Sequence, residues 1–391
     1  MRSAVMWLSI FYQMDSDNFQ ALKTKDFMVI LKDNRPRIPG FDLASAWAIF
    51  GMFIVNFQIT FGNFTDQTPM NRFLNLFTGN SSAAFVILAG MGVSLLTFRP
   101  EAEAAEKKRL QKIVLNRSWF LFALGLLLYP WWPGDILHFY GGYMHLAAFF
   151  LFVNNRWLLG MVAFLLAGFH LLLFVIPYET GWDFERFVYL DFWTIPGFLR
   201  NTIYNGWNPI FPWAAFFFLG MWLGRLQWQL RRVKIAALKG ALLVFLPLEA
   251  LMFMAGKGAF SPDVTRFLLS DYVPPFLPFM LSCGSAAVLL IVICLWLGER
   301  FEASPLAKTL AATGQMTLTH YVIHLTLGML TLSVLTGQPY GLPMNPNGTA
   351  SPTYILLFSA AWFLGSMVFS YLWKRRFEKG PVEMLMRRLT G

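Results

Sequence analysis

The segment 35-RPRIPGFDLASAWAIFGMFIVNFQ-58 decides the fold class, because its apolar part is long enough to cross a bilayer. Pro39 and Gly40 break the chain just before the apolar run, and Asp42 can cap the free N–H groups of its first turn. Similar runs recur along the whole chain. They are continuously apolar, which is typical of helices, whereas barrel strands alternate. We therefore predict an all-α, polytopic transmembrane helical bundle.

The composition agrees with this class. The 391 residues are 57% hydrophobic and 13% charged, whereas soluble domains average roughly 25% charged residues. About ten spans are predicted, at 43–61, 82–98, 117–131, 135–153, 157–177, 209–227, 235–256, 274–297, 315–336 and 353–373. They define a single transmembrane domain at 35–375 and a basic cytoplasmic tail at 376–391. Residues 1–34 are interpreted as a cytoplasmic extension, which an upstream start codon would also explain.

The basic residues set the orientation. Of the 31 Lys and Arg residues, 26 fall on one side of the predicted membrane and five on the other. Because cytoplasmic loops are enriched in Lys and Arg, both termini are predicted to be cytoplasmic. The net charge of +10 follows from the same bias and predicts no nucleic-acid partner. The loop 106-EKKRLQK-112 suits anionic headgroups of the bilayer, at about 1 kcal/mol per basic residue, and equally a phosphorylated cosubstrate.

Metal sites and disulfides find little support in the sequence. Cys283 and Cys294 both lie in one predicted span and imply neither a disulfide framework nor a zinc site. His320 and His324 are four apart, as two metal ligands on one helix face would be, but the glutamate of an HExxH motif is missing. No metal is therefore predicted. A serine hydrolase is also disfavoured, because the sequence has no G-x-S-x-G elbow.

Ionisable side chains inside the apolar spans indicate a site. Asp135 and His138 are three apart and share a helix face, and His145 follows two turns later on that face. His324 is near mid-depth on another span, and Asn56 lies on a third. Such residues are rare in membranes and usually face a bundle interior. The alternative is a polar network that only holds helices together. We predict that Asn56, Asp135, His138 and His324 converge on one cavity.

The longest predicted extracytoplasmic loop, residues 178–208, combines acidic and basic side chains with many aromatic ones. A loop of this length is often a lid or a binding loop. Trp and Tyr also favour the headgroup region, so an interfacial belt explains the composition equally well. Both interpretations stay open at this point.

The chain resembles a known family in five stretches: 38-IPGFDLASAWAIFGMFIVNF-57, 83-AAFVILAGMGVSLLT-97, 134-GDILHFYGGY-143, 208-NPIFPWAAFFFLGMWLGR-225 and 314-GQMTLTHYVIH-324. This is the YeiB-like multi-pass bacterial membrane family, whose function is largely unassigned. The resemblance implies a multi-pass protein of the bacterial cytoplasmic (inner) membrane.

More distantly, the chain is similar to the heparan-alpha-glucosaminide N-acetyltransferase family, through Asp42, Asn56, the aromatic-glycine start of the fourth span and His324. Those transmembrane enzymes move an acetyl group from acetyl-CoA to an amino sugar. The similarity implies a shared fold and acyl-transfer chemistry. One departure is plain: the acetyltransferases have a catalytic histidine in the first extracytoplasmic loop, and loop 61–80 here contains none.

The leading functional prediction is a transmembrane acyltransferase, which moves an acyl group from cytoplasmic acyl-CoA, by resemblance acetyl-CoA, to an extracytoplasmic sugar or polyol. His138 is the predicted general base, Asp135 orients it, and His324 polarises the thioester carbonyl. The predicted substrate-binding residues are Asn56, Asp42, Arg37, His145 and His320. The alternatives are a transporter or flippase for a small polar or lipid-linked substrate, and a non-enzymatic membrane partner of another complex. The oligomeric state is not predicted.

Overall fold

A computed structural model of the chain describes residues 37–63, 66–99, 101–339 and 348–391. The predicted extension at 1–34 lies outside these residues. The chain divides into two units, 1–38 and 39–391, and everything below concerns the second unit unless stated otherwise. This unit is almost entirely helical, with one two-stranded sheet among the described residues. The all-α class is therefore confirmed.

The elements are named in chain order. The helices are α1 (Pro39–Phe61), α2 (Pro69–Asn75), α3 (Asn80–Thr97), α4 (Ala104–Leu128), α5 (Leu137–Ala147), α6 (Asn155–Val175), α7 (Ile195–Arg200), α8 (Ile210–Leu223), α9 (Arg231–Gly256), α10 (Pro262–Leu268), α11 (Leu277–Arg300), α12 (Pro305–Gly314), α13 (Thr317–Ile323), α14 (Met329–Thr336), α15 (Pro352–Lys374) and α16 (Pro381–Thr390). The strands are β1 (Trp182–Asp183) and β2 (Val188–Tyr189), and short π-helical turns cover Asn201–Asn205 and His324–Gly328.

Seven helical stretches in the described residues are long and apolar enough to cross a membrane: α1, α2–α3, α6, α9, α11, Thr317–Thr336 and α15. The three other predicted spans coincide with α4, α5 and α8. Helix α4 begins with a charged segment, α8 has 14 residues and α5 has 11. Eleven residues rise only about 17 Å, roughly half of the hydrocarbon core. The multi-pass architecture is established, while the count of ten spans and the cytoplasmic termini remain predictions.

Small residues bring α3 and α8 into backbone contact. A Cβ on Gly90 would lie 2.1 Å from the carbonyl oxygen of Phe217, and a Cβ on Gly220 would lie 2.1 Å from that of Ile87. Ser94 Oγ also donates a 2.6 Å hydrogen bond to a backbone carbonyl of α8. Close approach at small residues is the usual way in which membrane helices pack, because lipid tails compete with larger apolar side chains.

Glycine also decides how α4 and α5 meet. A Cβ on Gly125 would lie 2.2 Å from the backbone nitrogen of His138 and 2.4 Å from Oδ2 of Asp135. On the facing helix, a Cβ on Gly141 would lie 2.8 Å from Cα of Phe122. The two helices can therefore pack this closely only with glycine at both positions, and this packing fixes the start of α5.

Replacing Gly125 by alanine is expected to destabilise the protein by about 1–3 kcal/mol, because the new methyl group overlaps the start of α5. Gly160→Ala is the matched control: Gly160 lies inside α6, and a Cβ there meets nothing within 4 Å. That change should be neutral or stabilise by up to about 1 kcal/mol, since alanine is the better helix former. Thermal melting of the two purified variants checks this, and equal melting temperatures would contradict it.

Candidate functional site

The site begins with the cap of α5. Oδ2 of Asp135 accepts a 3.1 Å hydrogen bond from the backbone N–H of His138 and lies 3.2 Å from Nδ1 of the same residue. A carboxylate suits this place, because the first N–H groups of a helix lack partners and the helix dipole favours negative charge there. Both side chains are completely buried. The pair predicted from the three-residue spacing is therefore formed.

Tyr321 joins this pair to α13. Its hydroxyl donates to Oδ1 of Asp135 at 3.2 Å and accepts from the backbone N–H of Ile136 at 3.0 Å. The Asp135 carboxylate therefore holds α5 and α13 together. Sequence reasoning missed Tyr321, although a signal was present: it lies three residues before His324, on the same helix face.

His324 forms the other half of the site with Asn56. Nδ2 of Asn56 lies 2.9 Å from Nε2 of His324, and Nδ1 of His324 lies 3.2 Å from the carbonyl oxygen of His320. An amide NH₂ can only donate, so this arrangement assigns the proton of a neutral imidazole to Nδ1 and leaves Nε2 as the acceptor. The ring of Tyr321 packs edge-on against that of His324, with centroids 5.1 Å apart.

The four residues predicted to converge on one cavity are joined in one contact chain, while a shared cavity remains a prediction: His138 contacts Asp135, Tyr321 bridges to His324, and His324 contacts Asn56. The helix leaves regular α geometry at His324, where the π turn His324–Gly328 begins. Such turns are frequent at functional sites. The geometry places these side chains together, while their catalytic roles remain predictions.

A narrow pocket lies beside Asn56, in the predicted extracytoplasmic half of the protein. Its volume is about 30 Å³, and its walls include Trp132 and Trp207. Polar side chains complete the lining: Asn208 Nδ2 donates to the Tyr272 hydroxyl at 2.6 Å, and that hydroxyl donates onward to a serine of α3 at 3.2 Å. Of the predicted site residues, only Asn56 is part of the lining.

His138 lies away from this pocket, in an aromatic enclosure. Its ring centroid is 3.8 Å from that of Phe139, 5.9 Å from that of Phe192 and 6.0 Å from that of Tyr129. Its Nε2 atom is buried and has no hydrogen-bond partner among the described residues. Its predicted role as the general base remains a prediction, and a substrate would reach Nε2 only if one of these rings moved.

The loop 178–208 covers this enclosure and has a defined internal structure. Asn205 is its centre, since its Nδ2 donates to the carbonyl oxygens of Tyr178 and Thr180 and its Oδ1 accepts from the Tyr189 hydroxyl, all within 2.8 Å. Arg200 ties the same loop together through an ion pair with Asp191 at 2.7 Å. The loop is therefore held by polar contacts of its own.

The loop has features of both interpretations that the sequence left open. Phe192 points inward and stacks on Tyr129, with ring centroids 3.6 Å apart, directly beside His138. Trp193 and Ile195 point outward and are 67% and 79% exposed. Large apolar side chains on the outer face suit the headgroup region. The inner face therefore covers the site while the outer face suits the membrane interface.

His145 and His320, both predicted to bind substrate, make separate contacts. Nδ1 of His145 lies 3.3 Å from Oγ of Ser118, beside a largely apolar groove between α4, α5 and α6. Nε2 of His320 lies 2.7 Å from Oγ of Ser370 on α15. Neither contact involves Asn56 or Asp135, so their binding roles stay predictions.

Asp42 lies at the other end of α1 from Asn56. Its Oδ2 accepts a 2.8 Å hydrogen bond from Gln315 Nε2, at the break between α12 and α13. Arg37 belongs to the N-terminal unit, residues 1–38, and its substrate-binding role remains a prediction. The described residues contain no group of three or more His, Cys, Asp and Glu that could hold a metal ion.

These features define the class as a multi-pass helical membrane protein with a buried imidazole–amide–carboxylate site. Residues 37–255, more than half of the chain, match the family model described as heparan-alpha-glucosaminide N-acetyltransferase, catalytic. Residues 220–391 match the model described as protein of unknown function (DUF418). The chain therefore belongs to the heparan-alpha-glucosaminide N-acetyltransferase catalytic family, and both resemblances are confirmed. No curated protein matches the chain.

Proposed function

We propose that the protein is a transmembrane acyltransferase, which transfers an acyl group from acyl-CoA to a hydroxyl or amine of a small polar acceptor such as a sugar or polyol. The observation that carries this proposal is the hydrogen bond between His324 and Asn56, a residue of the pocket lining. The match of residues 37–255 to an acetyltransferase catalytic model supports the same chemistry.

The chemistry needs a proton acceptor and a group that stabilises negative charge. When the acceptor oxygen or nitrogen attacks the thioester carbonyl, it loses a proton, and the carbonyl oxygen becomes negative before the C–S bond breaks and the thiolate leaves. Nε2 of His324, which carries no proton in the neutral imidazole, can take that proton and return it to the thiolate. Asn56 has a second N–H beside the pocket, which can donate to the developing oxyanion.

His138, the general base that the sequence predicts, is the second candidate for this role. Asp135 holds its Nδ1 side, so the free Nε2 atom is the one available to a substrate. In this version of the mechanism His324 polarises the thioester carbonyl. The two versions differ in which histidine accepts the proton of the substrate. The His138 version requires movement of a covering ring such as Phe192, and the His324 version requires movement of the Asn56 amide.

The donor is proposed to come from the cytoplasm, where acyl-CoA resides. The basic residues 107-KKR-109 would attract its phosphates. The acceptor would enter from the opposite side, past the loop 178–208 and into the pocket beside Asn56. The bacterial inner membrane is the proposed location.

Transport of a polar solute is the second candidate. It is favoured by one observation, the break between α12 and α13 at Gln315 and Met316, because transporters often bind substrates at discontinuous helices. Consumption of acyl-CoA distinguishes the two functions, because only a transferase consumes it.

The proposed function predicts that the purified protein in lipid nanodiscs releases free CoA from acetyl-CoA when a suitable acceptor is added. A panel of amino sugars, sugars and polyols is tested, and free thiol is measured against a no-acceptor control. The acylated acceptor should appear in equal amount by mass spectrometry. No thiol release from well-folded protein across the panel, together with solute uptake by proteoliposomes, would favour the transporter instead.

A further inference from the structure

Helix α13 carries His320 and Tyr321 and leads directly into His324, yet its own sequence does not cap it. The residue before it, Met316, makes no side-chain cap hydrogen bond. The first N–H groups of any helix need partners, and leaving them unpaired inside a protein is costly. The start of α13 therefore needs an acceptor from another part of the chain.

Glu383, from the first turn of the C-terminal helix α16, supplies this acceptor. Its Oε1 accepts a 3.1 Å hydrogen bond from the backbone N–H of Thr319, and its Oε2 accepts from the Thr319 hydroxyl. The same hydroxyl accepts from the backbone N–H of Val382 at 3.1 Å. Thr319 is completely buried. Burial raises the pKa of Glu383, while the bonds from Thr319 act in the opposite direction.

The backbone around α16 is adapted to this contact. A Cβ on Gly380 would lie 2.5 Å from the Thr319 hydroxyl oxygen, so only glycine lets the chain pass this close. The segment before α16 is tied to α15 by a 2.8 Å hydrogen bond from Trp373 Nε1 to the carbonyl oxygen of Lys379. At the far end, Asn116 Nδ2 of α4 donates to the carbonyl oxygen of Thr390 at 3.3 Å.

We propose that Glu383 is a positioning residue, which fixes the register of α13 so that Tyr321 meets Asp135 and His324 meets Asn56. Thr319 precedes Tyr321 by two residues and His324 by five, so a shift at the cap moves both. One residue of helical rise is about 1.5 Å, which is enough to break hydrogen bonds of 3.2 Å and 2.9 Å. This inference rests on the proposed function only for its kinetic consequence.

Hydrogen–deuterium exchange tests the positioning directly. Glu383→Ala is expected to speed exchange of the amides in 317–324 by about tenfold or more, because a charged hydrogen bond to the first turn is lost. Exchange in α1 and α11 should stay unchanged. Glu378→Ala is the matched control, since Glu378 is an exposed acid in the same tail. Unchanged exchange in 317–324 of Glu383→Ala would overturn the proposal.

Two further variants cover the case in which Glu383→Ala does not fold. Glu383→Gln keeps an oxygen that can accept from the Thr319 backbone, so it should restore most of the protection. Thr319→Val removes only the hydroxyl contacts and should speed exchange in the same segment by a smaller factor. If Thr319→Val exchanges like the wild type and Glu383→Ala is globally unfolded, Glu383 is merely structural and the proposal fails.

Kinetics separate positioning from binding. The alanine variant should lose kcat by about tenfold to a hundredfold with KM nearly unchanged, because a displaced catalytic group costs rate while the pocket is retained. Glu383→Gln should recover most of kcat. A wild-type protein without any transfer activity refutes the proposed function, but the exchange result still decides whether Glu383 positions α13. Normal kcat in Glu383→Ala refutes the positioning role alone.

Discussion

Alanine in place of His324 is expected to lower acyl transfer by about 10²–10⁴-fold, because it removes the imidazole that contacts the pocket-lining Asn56. The side chain is completely buried, so its loss also leaves a cavity. Transfer rates of the purified variant are therefore measured together with its thermal melting. His170→Ala is the control, since His170 contacts the backbone of α11 and not the site.

A double-mutant cycle sharpens this prediction. If Asn56 and His324 act as one unit, the combined alanine variant should be about as slow as His324→Ala alone, since effects of groups in direct contact do not add. Independent roles would give multiplied losses. A folded His324→Ala protein with wild-type transfer would exclude the imidazole–amide pair from the mechanism.

Much of the bundle could be predicted from the sequence because apolar runs of span length are a strong and local signal. Each of the ten predicted spans overlaps one or more helical segments, and the i, i+3 pair of Asp135 and His138 follows from helical geometry alone. The convergence of Asn56 and His324 rested on a different argument, the cost of isolated polar groups in hydrocarbon. That argument identifies which residues need partners.

The same arguments could not say which partner each residue finds. His145 lies two turns beyond His138 and also contacts α4, yet its partner Ser118 is outside the contact chain of the site. Periodicity fixes the direction of a side chain, whereas the neighbour at that depth depends on how short helices such as α5 pack. The cap of α13 was hidden for a similar reason, because Glu383 and Thr319 are 64 residues apart.

The alternative base makes the second large prediction. His138→Ala should lose transfer by about 10²–10⁴-fold if its free Nε2 accepts the substrate proton. Asp135→Asn should cost less than His138→Ala, because the amide oxygen can still orient the imidazole and asparagine caps helices well. Asp135→Ala should instead lower the stability of the protein. It leaves the buried Tyr321 hydroxyl and the His138 N–H groups without their hydrogen-bond acceptor, which costs about 1–3 kcal/mol for each unsatisfied group.

The transfer rates and melting temperatures of these three variants distinguish a catalytic His138 from a purely structural pair of Asp135 and His138. A catalytic His138 predicts slow transfer at a near-normal melting temperature for His138→Ala, with Asp135→Asn intermediate in rate. A purely structural pair predicts the reverse: Asp135→Ala melts early, because α5 loses its cap and its bond to α13, while His138→Ala transfers at the wild-type rate. In that case His324 is left as the histidine in contact with the pocket-lining Asn56, and the loop 178–208 covers a structural joint between α4, α5 and α13.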